Sequence, residues 1–156
     1  MAILHVVGGL PGAGKSKLLA EMRASGVYVA SEDFFAYSGT GKVPNAPSVA
    51  ALVERLRSGQ ECAIGDIVFI HAVKRNELAA YLGQHAPGTE FRWIVYRPDL
   101  AQCAWNCLHK NRQNEAQVRD WLLAIVQWAD KYDPTGVTEE LDPVMPHGRC
   151  PHNQPA

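Results

Sequence analysis

Eight residues constrain this chain more than any others. Gly9-Leu10-Pro11-Gly12-Ala13-Gly14-Lys15-Ser16 matches the pattern G-x-x-x-x-G-K-[ST] in full. That pattern describes a loop whose backbone N–H groups close around a phosphate. Glycine permits backbone angles there that a side chain forbids. Lys15 brings a mobile positive charge to the β- and γ-phosphates, and the Ser16 hydroxyl is suited to a Mg²⁺ ion. A helix following the loop would aim the positive end of its dipole at the same anion. Residues Gly9 to Lys17 are therefore the candidate binding segment for a nucleoside triphosphate.

The pattern carries weight only between a strand and a helix, and both are legible. Ala2-Ile3-Leu4-His5-Val6-Val7 is a mostly apolar run with several β-branched residues, as a buried parallel strand requires. After Ser16, Leu18, Leu19 and Met22 share one helical face, and Gly26 is a natural stop. The alternative is a glycine-rich turn that fits the pattern by chance, and the strand and helix on either side argue against it.

A chain of 156 residues is expected to form one domain with an adequate core. Its 47% hydrophobic and 20% charged residues fit a globular protein. No apolar stretch is long enough to span a bilayer, and the first residues lack the basic leader of a signal peptide. These features predict a cytoplasmic protein whose four cysteines are reduced thiols. The net charge of -1 provides no general attraction to nucleic acid, although a local basic patch would.

Strand-like and helix-like segments alternate along the chain. Strands are predicted at 27–30, within 62–70 and at 91–96, and a fifth, poorly patterned one near Val144. Helices are predicted at 48–57, 74–84, 98–109 and 116–132. The glycine- and proline-rich stretch 36–47 reads as a long loop, either a substrate loop or a tolerated insertion. Alternation of this kind implies an α/β fold, a parallel sheet of four to five strands with helices on both faces. Residues 1–135 are expected to form the nucleotide-binding domain, with a lid near 110–119. Residues 136–156 read as an irregular C-terminal tail.

Phosphoryl transfer needs a phosphate cradle, Mg²⁺, positive charge and a group that orients the nucleophile. In a parallel sheet these parts gather at the C-terminal ends of strands. Asp33, just past the second strand in Ser31-Glu32-Asp33, is a candidate base, with Glu32 as its neighbour. Alternatively Ser31 or Asp33 caps a turn. Asp66 is a candidate magnesium carboxylate. The run before it, Cys62-Ala63-Ile64-Gly65, is weakly apolar, whereas Ile67-Val68-Phe69-Ile70 follows it, so Asp66 either ends the strand or opens it. Lys110, Arg112 and Arg119 are candidate lid cations, or else a solvated helix connection. Lys74 and Arg75 open a helix, where basic residues oppose the dipole, and are candidate substrate or phosphate contacts.

Cys103, Cys107 and His109, and separately His147, Cys150 and His152, form loose clusters without zinc-finger spacing. Core cysteines on a buried helix are the expected reading of the first. Trp93, Trp105, Trp121 and Trp128 are expected to pack in the core or under the lid. Trp121 and Trp128 lie seven residues apart on one helical face.

Together these residues resemble the small P-loop kinases grouped with the 5′-kinase domain of phage polynucleotide kinase, chloramphenicol phosphotransferase and zeta toxins, which carry an AAA-type P-loop ATP-binding domain. The likeness rests on Gly9 to Ser16, on Ser31-Glu32-Asp33 after the second strand, and on Asp66 followed nine residues later by Arg75. Arg97-Pro98-Asp99-Leu100, followed by a helix to Asn111-Arg112, adds to it. It covers roughly the first 130 residues, and only the phosphate loop is highly specific. The resemblance implies a three-layer P-loop NTPase fold, with ATP and Mg²⁺ as cofactors. It implies Asp33 as general base and Arg112 as a phosphate contact, with Arg119 a weaker second. The acceptor it implies is a hydroxyl of a small molecule, a nucleotide or a nucleic-acid end.

Two other nucleotide-binding classes fit poorly. No N-K-x-D motif reads a guanine base, and Phe69 stands where a D-x-x-G switch after Asp66 needs glycine. Leu56-Arg57-Ser58-Gly59-Gln60 is similar to a transporter ATPase signature, but it lies too near Asp66. A nucleotide-binding NTPase, or a degenerate kinase with a regulatory role, stays open beside an active kinase.

Overall fold

The computed structural model describes residues 1–31, 35–38, 41–44, 46–110 and 113–153. In chain order the elements are β1 Ile3–Gly8, α1 Lys15–Ala24, β2 Tyr28–Ser31, β3 Phe35–Ser38, β4 Gly41–Pro44, α2 Ala46–Arg57 and β5 Cys62–Asp66. They continue with a 3₁₀ turn Ile67–Ile70, α3 Ala72–His85, β6 Glu90–Tyr96, α4 Leu100–Lys110, α5 Glu115–Trp128 and β7 Glu139–Leu141. Five strands form one all-parallel sheet in the order β2-β5-β1-β6-β7. The crossover from β1 to β2 runs one way along the sheet and the later ones run back. The right-handed crossover rule therefore sets α1 on one face and α2 and α3 on the other. This is the expected three-layer arrangement of a P-loop NTPase.

The central strands owe their composition to that layering. β1 and β5 are buried almost throughout, since helices cover both faces of a parallel sheet and a continuous apolar run satisfies both. Leu4, Val6, Val7, Ile64, Val68 and Leu82 are fully buried at the centre. Burying one such side chain contributes about 1.5–3 kcal/mol. Pairing in register puts Gly8 beside Asp66 on one side and Val95 on the other. The C-terminal ends of three strands thus meet where the glycine loop begins.

Three elements differ from expectation. The weakly apolar run Cys62–Asp66 is the third strand of the sheet, and the stronger run Ile67–Ile70 is a 3₁₀ turn. The Asp66 carboxylate accepts the Val68 N–H at 3.1 Å, which caps the turn and ends the extended backbone. All four residues of the turn are buried, so their apolarity reflects burial rather than extension. Asp66 accordingly ends its strand rather than opening it. The stretch 36–47, expected as a loop, contains the antiparallel pair β3 and β4, with Ala36 opposite Val43 and Tyr37 opposite Lys42. The fifth strand lies at Glu139–Leu141, upstream of Val144, and pairs with Ile94–Tyr96. As an edge strand it is largely exposed, so it lacks the apolar signature of a central one.

Candidate functional site

The glycine loop runs from the end of β1 into α1. Gly12 and Gly14 have positive φ, 81° and 119°, which a side chain would strain. Close packing adds a second constraint. A Cβ on Gly12 would lie 2.4 Å from the Cys103 carbonyl oxygen, and one on Gly14 would lie 2.7 Å from a Val144 methyl. Helix α1 then starts at Lys15 with Gly14 as N-cap, no side-chain cap and no acidic residue in its first turn. Such a helix end offers N–H groups and dipole charge to an anion. The Lys15 ammonium donates to the carbonyls of Gly9 (2.6 Å) and Leu10 (3.1 Å), so its charge is held across the loop. Tyr96, at the end of β6, donates its hydroxyl to the Gly14 carbonyl at 3.2 Å. Burial pushes the Tyr96 phenol up, which keeps that donor protonated.

The loop forms one wall of a cleft of about 1230 Å³. Pro11, Gly12, Gly14, Lys15, Ser16 and Lys17 line it on the loop side. Facing them are Asn106 and Lys110 of α4, together with Gln117 and Trp121 of α5. The segment Val144–His147 closes a third side. The Lys110 ammonium sits 5.7 Å from the Trp121 ring centroid, within reach of a cation–π contact. Trp121, expected to pack in the core or under the lid, does pack against the core and also lines the cleft.

The candidate residues separate into distinct groups. Lys15, Ser16 and Lys17 share the cleft with Lys110. Asp66 is fully buried at the end of β5, beside the residue that precedes the loop. Glu32, Asp33 and Arg112 lie outside the described residues. Arg119 is directed elsewhere: it lines a separate apolar groove between α4 and α5 with Leu108, Leu122 and Val126. Lys74 pairs with Glu77 at 2.9 Å within its own helix.

Arg75 is a buried clamp. The residue is 3% exposed, and its guanidinium donates to the carbonyls of Phe69 (2.7 Å), Asp133 (2.6 Å) and Thr135 (2.9 Å). It ties the 3₁₀ turn to the chain that leads into β7. Burial lowers its pKa, with the Asp133 charge opposing. Arg75→Met is expected to leave the three carbonyls without these donors and to destabilise the fold by about 3 kcal/mol, a drop of roughly 6–12 °C in Tm. A Tm within 2 °C of the parent protein, measured by circular dichroism, would show that the clamp contributes little.

Among the described residues no three His, Cys, Asp or Glu side chains converge as metal ligands. All four cysteines are free and buried. Burial pushes the Cys62 and Cys107 thiols up to about 11 and Cys103 up to about 12. A folded thiol that ionises later than the unfolded one stabilises the fold at neutral pH, and this contribution fades as pH rises past about 8.5 toward the folded pKa. The native protein at pH 8 is expected to react with Ellman's reagent far more slowly than after unfolding in guanidinium. Rapid titration of Cys62, Cys103 and Cys107 in the native state would contradict this.

One side of the cleft has little local signature in the sequence. Asn106 and Gln102, both buried, carry no motif, and Val144–His147 fell in a tail without periodicity. A polar pair spaced i, i+4 on an otherwise apolar helix face was the available signal.

No family model and no curated protein matches this sequence. Solved structures do. A gluconokinase from Sinorhizobium meliloti 1021 superposes with a TM-score of 0.56 at 20% identity, over 91% of this chain and 83% of its own. A candidate kinase from Chloroflexus aurantiacus superposes with a TM-score of 0.54 at 19% identity, over 90% of this chain and 84% of its own. At such identities the likeness is one of fold, which this chain shares with these two structures.

Proposed function

We propose that this chain is an ATP-dependent phosphotransferase of the small P-loop kinase type, with 110–119 as its lid and with a kinase domain that runs past residue 135 to take in β7 and the Val144–His147 wall of the cleft. The observation that carries this reading is the uncapped start of α1, opening with Lys15 and Ser16 into a cleft of about 1230 Å³. Amides of the loop and of the first turn bind the phosphates, with Lys15 and Lys17 supplying charge. Ser16 and Asp66 would hold Mg²⁺, which supplies charge neutralisation on the β- and γ-phosphates. One hydroxyl and one carboxylate suit this ion, which takes its remaining ligands from phosphate and water.

Asp33 accepts the proton of the acceptor hydroxyl as its oxygen bonds to the γ-phosphorus, and the bond to the β-phosphate oxygen breaks to release ADP. Arg112, from the lid, contacts the phosphates. The acceptor is a hydroxyl of a small molecule, a nucleotide or a nucleic-acid end, and the site of action is the cytoplasm. Incubation with γ-labelled ATP and pooled metabolites, nucleosides and oligonucleotides tests this. Label transferred to an acceptor supports it; intact ATP binding with no transfer to any acceptor counts against it.

A second reading is a degenerate kinase or simple NTPase with a regulatory role. It is favoured by the engagement of Arg75 with three backbone carbonyls and of Arg119 in the α4–α5 groove, which leaves fewer arginines for the phosphates. ATP hydrolysis indifferent to every acceptor would select it.

A further inference from the structure

The loop carbonyls are held by groups distant in sequence. A carbonyl oxygen facing a bound phosphate would repel it, so an anion-binding loop must keep its carbonyls turned aside. Asn106 of α4, 4% exposed, donates through Nδ2 to the Gly12 carbonyl at 2.8 Å and to the Val144 carbonyl at 2.6 Å. The Val144 N–H in turn donates to the Ala13 carbonyl at 3.0 Å. Two consecutive loop carbonyls are thus held by α4 and by the strap that follows β7.

The strap is anchored by the same pair of amides. Gln102 Nε2 donates to Asn106 Oδ1 (3.0 Å) and to the Gly148 carbonyl (3.1 Å), and Gln102 Oε1 accepts the Cys150 N–H (2.8 Å). Every polar group of the two side chains is engaged. Only a neutral primary amide meets these demands at position 106. A carboxylate cannot donate to two carbonyls, and an apolar side chain would leave both unmet.

We propose that Asn106 is a positioning residue for the phosphate loop, clamping Gly12 to the strap at Val144 so that anion affinity depends on a strap more than 130 residues downstream. This rests on the nucleotide-site reading above, and inorganic tripolyphosphate with Mg²⁺ is the probe because it has no base to touch the strap directly. Asn106→Ala and Asn106→Asp are each expected to weaken its Kd by about tenfold or more, measured by calorimetry where circular dichroism shows both variants folded. Leu56→Ala, a core change away from the cleft, is expected to lower Tm while keeping Kd within about twofold. Coupling is reciprocal, so tripolyphosphate is also expected to slow hydrogen exchange of the Val144 and Cys150 amides in the wild-type protein. That wild-type measurement decides the matter if the Asn106 variants do not fold, and unchanged exchange overturns the proposal. Folded Asn106 variants that bind within twofold of wild type overturn the positioning role alone. Wild type that binds neither ATP nor tripolyphosphate overturns the nucleotide reading and this proposal with it.

Discussion

Lys15→Ala is expected to abolish the stabilisation of this protein by Mg·ATP. A ligand at one hundred times its Kd stabilises the folded state by about 2.7 kcal/mol, which for a chain of this size corresponds to a shift of roughly 5–10 °C in Tm. Lys15 stands at the first position of α1 and holds its ammonium across the loop mouth through Gly9 and Leu10. Truncation removes the charge that the proposed site would set against the phosphates. It also releases two carbonyls that the ammonium holds, so loop geometry and electrostatics fail together. The measurement is the difference between melts with and without Mg·ATP, which cancels any change in the stability of the free protein. An unchanged difference would remove the loop from the nucleotide site.

The second large effect is expected from Asp33→Asn. Asn preserves shape and hydrogen-bonding capacity but cannot take a proton at neutral pH. If Asp33 is the general base, phosphate transfer falls by about 10²–10⁴-fold while the Kd for ATP stays within a few-fold. Ser31 ends β2, next to β5 in the sheet, and Asp33 follows it by two residues in the sequence. Calorimetric ATP binding and transfer of label to an acceptor, measured on one preparation, separate the two roles. Equal loss of binding and transfer would make Asp33 structural.

Much of the architecture was legible because it arises from local periodicity. The apolar runs of β1 and β6 and the apolar spacing in α2 and α5 are short-range signals of burial. Legibility failed where burial and conformation parted. Ile67–Ile70 is apolar enough for a strand, yet the Asp66 cap turns it into a 3₁₀ helix. β7 is a strand with the sequence Glu-Glu-Leu, because an edge position asks for pairing more than for apolar side chains. Around the cleft, the glycine loop between β1 and α1 was legible, including the glycines that its positive φ angles require. Arg75 was expected to contact substrate or phosphate, and its partners at 133 and 135 have no local signature.

The sequence by itself determined that a glycine loop joins a buried strand to a helix and that strands and helices alternate around it. Those properties depend on residues within a few positions of one another, through glycine's permissive angles, helix polarity and apolar spacing. Only the tertiary structure decided what surrounds the loop. Asn106 reaches Gly12 across 94 positions and Val144 across 38, Arg75 reaches Thr135 across 60, and Arg119 turns toward the α4–α5 groove. Such partners are set by how helices and strap settle on the sheet. A buried amide or guanidinium is satisfied by whichever carbonyls that packing brings within reach.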